Sequence, residues 1–223
     1  MLFGINDVLD KSEVASIRAV LATAAFTDGR ATASEVAREV KHNLQATDRD
    51  EALDGCRRTI IDRLLQQEGF TLRVLPLRIL PPMFNRYDEG MEYGSHVDNA
   101  IMGSDSPVRA DVSVTVFLSE PDEYEGGGLV IHTDRQGQPI KLPAGSAVLY
   151  GASSIHRVEP VTRGSRYAAV TWAQSFVRDE RRREMLIELS ELARWASSVA
   201  PGSAEAVKAA RIRANLMRMW AEL

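Results

Sequence analysis

The chain is poor in several features that would have narrowed its class at once. It has a single cysteine, Cys56, among 223 residues, so no disulfide can close within it and a cysteine-rich zinc site is excluded. Cys56 itself reads as a small packed residue in its helix. No apolar run approaches the ~20 residues that a membrane-spanning helix needs. The opening MLFGINDVLDKSEV has no basic start, no apolar stretch and no small-residue cleavage site, so it does not read as a secretory signal and a cytoplasmic location is the default. Nor is there an excess of positive charge. The net charge of −4 supplies no electrostatic footprint for nucleic acid. Internal repeats and low-complexity tracts are absent as well. What is present is an ordinary globular composition, 44% hydrophobic and 26% charged, long enough for one core with appendages.

Three regions differ in texture. Residues 1–75 read as a mainly helical flank. Ser12 is the expected N-cap of SEVASIRAVLATAAF, in which Val14, Ile17, Leu21 and Ala24 recur at helical spacing. TDGRATAS is turn-rich, and EVAREVKHNLQATDRD fits no single period. DEALDGCRRTIIDRLLQQEGF is a better helix, with Leu53, Ile60, Ile61, Leu64 and Leu65 on one side and Gly69 as its stop. From 76 to 178 come short β-rich runs punctuated by Gly, Pro and Asp, among them YGSHVD, DVSVTVFLS, GGGLVIHT and RYAAVTWAQSFV. That pattern predicts an all-β barrel or double-sheet jelly roll. Residues 179–223 return to helix, with Leu186, Leu189 and Ala193 on a stripe and Pro201-Gly202 as a break.

Within the β region, YGSHVD places an imidazole and a carboxylate two residues apart. On a strand, positions i and i+2 share a face, so His96 and Asp98 point together while Val97 points away. His156, on a strand sixty residues later, can complete a set of three. Two histidines and one carboxylate make the facial triad of non-haem Fe(II) oxygenases, which leaves positions open for co-substrate and O₂. Arg166 follows His156 by ten residues, and a hairpin through PVTRGS would set the two side by side. A guanidinium matches a carboxylate in planar, bidentate fashion, which suits 2-oxoglutarate held by iron at one end and by Arg166 at the other. Ala168, Val170 and Trp172 share the strand face of Arg166 and would form the pocket wall.

The stretches FNRYDEGMEYGSHVDNA, DVSVTVFLS, KLPAGSAVLYGASSIHRVEPVTRGSR and WAQSFVRDE resemble the bacterial PKHD-type hydroxylases. These belong to the prolyl/lysyl-hydroxylase-like branch of the Fe(II)/2-oxoglutarate dioxygenases. The resemblance runs over nearly the whole chain and is densest from Phe84 to Asp179. It implies a double-stranded β-helix core flanked by helices, iron on His96, Asp98 and His156, and 2-oxoglutarate on Arg166. The implied reaction consumes O₂, converts 2-oxoglutarate to succinate and hydroxylates a C–H bond. Ascorbate is implied as the reductant that keeps iron ferrous. The substrate left open is an amino acid, a peptide-like metabolite or a protein side chain. One departure is plain: where the family has Gly-Gly-Glu-Leu, this chain has Gly126-Gly127-Gly128-Leu129.

Two other classes use a similar constellation: a non-catalytic jelly roll that senses a metal or a 2-oxo acid, and a zinc hydrolase on the same three ligands. Arg166 argues against the hydrolase, which has no general need for it, and Asp98 argues against halogenation, which vacates that position. Other residues read more plainly. His132 and His42 lie outside the motif and read as surface or hydrogen-bonded histidines. Tyr87, just upstream, either packs or donates to the co-substrate. Arg163 reads as solvent-exposed in a turn, and Arg181-Arg182-Arg183, flanked by acids, as a solvated helix face. In the last helix, Val207, Ala210, Ala214 and Met217 form one apolar stripe and Ile212, Leu216, Met219 and Leu223 another. Two such stripes suit a homo-oligomer with Trp220 near the interface, or a helix buried on both sides within one chain.

Overall fold

The computed structural model describes residues 1–47, 51–103, 106–132 and 137–223. Asp50, the first residue of one expected helix, and Thr133, the last of one expected strand, lie outside the described residues. Two sheets form a jelly roll. The larger has eight strands: β1 (Leu2–Ile5), β13 (Ala147–Gly151), β10 (Val112–Phe117), β16 (Arg166–Ser175), β6 (Met83–Tyr87), β4 (Leu44–Ala46) and β2 (Phe26–Asp28) in that order, with β5 (Pro76–Ile79) also paired to β16. The smaller runs β12 (Leu129–Ile131), β14 (His156–Val158), β7 (Glu92–His96) and β3 (Lys41–His42). Two ribbons complete the β structure, β11 (Tyr124–Gly126) with β15 (Val161–Gly164) and β8 (Ile101–Met102) with β9 (Val108–Arg109). The helices are α1 (Lys11–Thr23), α2 (Glu35–Arg38), α3 (Glu51–Gln66), α4 (Glu68–Val74), α5 (Glu180–Val199) and α6 (Ala204–Trp220).

Strand periodicity sorts the two faces of the large sheet. On β10, Val112, Val114 and Val116 join the helix-side core with Ile17 and Leu21 of α1, Leu53, Ile60 and Leu64 of α3, and Phe70. The alternate residue Phe117 packs on the other side with Val148, Tyr150, Leu129 and Val158. Every residue of β10 is therefore buried, which is why it reads as a continuous apolar run broken only by small hydroxyls. Between the sheets lies a cavity lined by residues of β6, β7, β14 and β16.

The helical flank also holds four strands that its sequence did not announce. β1 caps one edge of the large sheet on β13, β4 pairs with β6, and β3 pairs with β7. The stretch without a single period therefore folds as a short helix followed by two very short strands, too brief to show a repeat. The first helix is capped by Asp10, not Ser12. The Asp10 carboxylate accepts from the Glu13 amide while the Glu13 carboxylate accepts from the Asp10 amide. Ser12 lies inside the first turn, donating to Asp10 Oδ1. α3 ends at Gln66, and Gly69 sits within α4, where a side chain would press on Phe3. The buried stripe of α3 is Leu53, Cys56, Arg57, Ile60 and Leu64, with Leu65 exposed.

At the C-terminus α5 and α6 pack together and close over Leu75, Val177 and Leu186, using Leu216, Met217 and Trp220. Leu216 and Met217, expected on separate stripes, thus meet one cluster, and the deep contacts of α6 are Ala206 and Ala209. Trp220 is half-buried against this cluster, with Arg182 over its ring. Val207, Ile212 and Met219 are exposed. The arginine run is not wholly solvated either: Arg183 is buried, its Nη1 donating to the carbonyls of Val177 and Arg178. No described helix is long and apolar enough to cross a membrane.

Candidate active site

β14 and β7 are antiparallel neighbours, and their register sets His156 directly opposite His96. Asp98 lies just beyond the end of β7, so it is the chain leaving the strand, and not the strand itself, that brings the carboxylate in. Asp98 Oδ1 is 4.0 Å from His96 Nε2 and 3.7 Å from His156 Nε2. One ligand atom from each residue falls within 4.8 Å of the other two. That is a metal-sized triangle on one side of a point.

The two imidazoles are oriented by the same device. His96 Nδ1 lies 2.8 Å from the Gly94 carbonyl, and His156 Nδ1 lies 3.0 Å from the Ser154 carbonyl. A carbonyl only accepts, so each Nδ1 carries the proton and each Nε2 presents a lone pair to the triangle. Burial and the neighbouring His156 hold His96 well below its ordinary value of 6.5, which keeps it neutral and able to ligate. Stacking fixes its plane: the Tyr93 ring lies 3.5 Å from the His96 ring at an interplanar angle of 13°. Tyr150 meets His156 edge-on at 4.9 Å. The second carboxylate oxygen of Asp98 accepts from Ser113 Oγ at 2.6 Å, leaving Oδ1 for the metal.

Arg166 opens β16 in the other sheet, so it faces His156 across the cavity and is not its hairpin neighbour. The segment between them is spent on β15, which pairs with β11. Arg166 is 2% exposed, yet its Nε and Nη2 have no hydrogen-bond partner among the described residues. Its guanidinium lies 5.3 Å from the Tyr87 ring centroid and 5.5 Å from that of Phe117. A buried guanidinium with two idle donors is unstable unless an acceptor arrives. A carboxylate would satisfy both, and the triad and Arg166 line the same cavity. The donor set therefore fits a divalent metal and a bridging 2-oxo acid.

Tyr87 pairs with Arg166 in the sheet register and lines the cavity. Burial pushes its hydroxyl up to about 12, so it stays a protonated donor. Val170 and Trp172 line the wall, and Ala168 is fully buried behind it. Arg163 is exposed and paired with Glu125, although on β15 and not in a turn. His132 is exposed beside Arg157, and His42 is exposed. Residues that the sequence did not single out are Ser113, Tyr150 and Lys41. Lys41 is buried on the cavity wall, in the stretch whose periodicity was unreadable.

The 2OG-Fe(II) oxygenase superfamily matches residues 82–174, a span that contains His96, Asp98, His156 and Arg166. A PKHD-type hydroxylase of Paracoccus denitrificans is 45% identical over 227 residues, covering 100% of both chains. The chain belongs to the PKHD-type hydroxylases. It is an Fe(II)- and 2-oxoglutarate-dependent oxygenase that hydroxylates its substrate. Its fold is that of a Pseudomonas putida prolyl-4-hydroxylase (TM-score 0.54, 20% identity, 78% of this chain and 92% of that one). It is likewise that of HygX from Streptomyces hygroscopicus, solved with nickel, 2-oxoglutarate and hygromycin B (TM-score 0.55, 16% identity, 79% and 84%). Gly128, by contrast, has no room for a side chain. A Cβ there would meet the Pro139 Cβ at 2.6 Å, so Pro139 stands where a larger residue would begin.

Proposed function

We propose that His96, Asp98 and His156 hold Fe(II), that Arg166 binds the distal carboxylate of 2-oxoglutarate, and that Tyr87 lines the co-substrate pocket as a neutral donor. The observation that carries this reading is the pair of idle Arg166 nitrogens in the same cavity as two aligned Nε2 lone pairs and a free carboxylate oxygen. Bound there, iron and 2-oxoglutarate would use O₂ to oxidise a C–H bond, one oxygen atom going to the substrate and the other to succinate, with carbon dioxide released. The chain's own part is orientation. Backbone carbonyls fix the two imidazole tautomers, Ser113 turns Asp98, and Tyr93 and Tyr150 hold the rings in place. The substrate is a small molecule or a peptide-like one. Ascorbate is read, from the family, as the reductant that restores ferrous iron. A homo-oligomer through exposed residues of α5 and α6, such as Trp195 and Met219, is proposed alongside, and light scattering at micromolar concentration checks it.

Alanine at His96, Asp98 or His156 is expected to abolish iron-dependent succinate formation and to weaken Mn(II) binding, with the far-ultraviolet circular dichroism unchanged. Full turnover and metal affinity in all three variants would place the metal elsewhere.

A further inference from the structure

We propose that Lys41 anchors a carboxylate of the substrate, so that this hydroxylase acts on an acid. The inference rests on the metal and 2-oxoglutarate roles proposed above and extends them to the second half of the cavity.

Lys41 is 6% exposed and lines the cavity of the triad and Arg166. It reaches there because β3 pairs with β7, setting Lys41 opposite Tyr93. Its ammonium lies 5.1 Å from the Tyr93 ring centroid, and that ring stacks on His96. Lys41 is therefore one aromatic ring away from a metal ligand. An ammonium has three donors, and among the described residues only one is used, to Thr32 Oγ1 at 3.0 Å. Thr32 is in turn fixed: its hydroxyl donates to Gln45 Oε1 at 2.6 Å, and Gln45 Nε2 donates to Asn85 Oδ1 at 2.9 Å. The network holds the ammonium in place without neutralising it.

Charge decides what is missing. Among the described cavity residues the only acid is Asp98, and the only fixed cations are Lys41 and Arg166. A divalent metal on Asp98, with dianionic 2-oxoglutarate against Arg166, is balanced. Lys41 is then the one charge left over. Burial lowers its affinity for a proton, to a value of about 8 against 10.5 in water, and the Asp98 and Asp28 carboxylates offset this only in part. A second donor lines the same cavity from the other sheet. Trp172 Nε1 is buried without a partner among the described residues, and Trp172 lines the cavity. A monoanion offering only acceptors would satisfy the ammonium, and a carboxylate is such a group. A phosphate would bring nearly two charges against one, and an amide would bring none.

The test compares N-acetyl-L-proline, N-acetyl-L-leucine and N-acetyl-L-phenylalanine with their primary amides. Each is titrated by calorimetry into protein loaded with Mn(II) and saturating 2-oxoglutarate without oxygen, so that Arg166 is already occupied. At least one acid is expected to bind about tenfold or more tighter than its amide. That preference should vanish in Lys41→Met and persist in Lys41→Arg. Acids and amides binding alike to the unaltered protein, or neither binding, would overturn the inference, and this comparison decides even if Lys41→Met fails to fold. A Lys41→Met protein that keeps the preference would overturn it too. The 2-oxoglutarate titration that precedes each run separates the two readings. Its failure takes both down, whereas intact 2-oxoglutarate binding without acid preference removes only the role of Lys41.

Discussion

Ser113 is fully buried and gives its proton to the Asp98 oxygen that faces away from the histidines. Removing that hydrogen bond frees the carboxylate to rotate. Ser113→Ala is therefore expected to weaken Mn(II) or Fe(II) binding by roughly 10- to 100-fold, the usual cost of losing an outer-shell partner, measured by metal titration. Arg166→Ala acts on the other ligand. Losing a charge-assisted bidentate contact of about 1.5–3 kcal/mol should weaken 2-oxoglutarate at least about tenfold while metal affinity holds, as titrations of each would show. His96 governs acid behaviour of the metal-free protein. Its folded form resists protonation, whereas the unfolded chain takes a proton near the ordinary value of 6.5. The fold's stability is thus whole above that value and declines as pH falls below it, until the folded histidine also protonates. Chemical melts of metal-free protein between neutral and mildly acid pH should show this loss, and a flat profile would contradict it. At this scale spacing and motif converge in the sequence on His96, Asp98, His156 and Arg166, and the structure brings these four to one cavity. Ser113 and Lys41 were silent, because a serine in a β run and a lysine before a histidine carry no signal until the strands are paired.

Among the elements, the approach of β3 to β7 depends on Gly94. A Cβ there would sit 2.7 Å from the Val40 Cβ, and the Gly94 amide donates to the Val40 carbonyl. The residue also supplies the carbonyl that orients His96. Gly94→Ala is expected to push the Val40 segment outward, costing about 1–3 kcal/mol of stability and loosening the metal site, which a chemical melt and a metal titration would both register. β16 shows the complementary economy: one ten-residue strand carries Arg166 near one end of the cavity wall and Trp172 farther along it. Its same-face pattern was readable from alternation alone. The supposed hairpin to His156 was not, because PVTRGS contains a strand of its own whose partner, β11, lies forty residues upstream. Short edge strands such as β3 are set by what they pair with, so local pattern has nothing to reveal there.

For the molecule as a whole, the C-terminal helices are part of the body. Glu222 pairs with Arg109 and Arg178, and its amide donates to the Phe176 carbonyl, tying the end of α6 to the exit of β16. Deleting residues 203–223 would uncover Leu75, Val177 and Leu186. The truncated chain should melt at a lower temperature and expose more apolar surface to a hydrophobic dye, and an unchanged melt would show that the core stands without α6. The order of helical flank, β core and helical tail was visible in composition and punctuation. The wrapping of the first 75 residues into both sheets was not, since it depends on pairings across the whole chain.

The acceptors that orient the two histidines are main-chain carbonyls, those of Gly94 and Ser154. No codon change can delete a carbonyl. Genetic variation can therefore reach the imidazoles' tautomers only by moving backbone, whereas the carboxylate's support can be erased by a single nucleotide at Ser113. Drift in metal affinity among descendants of this chain should accordingly enter through the aspartate side of the centre.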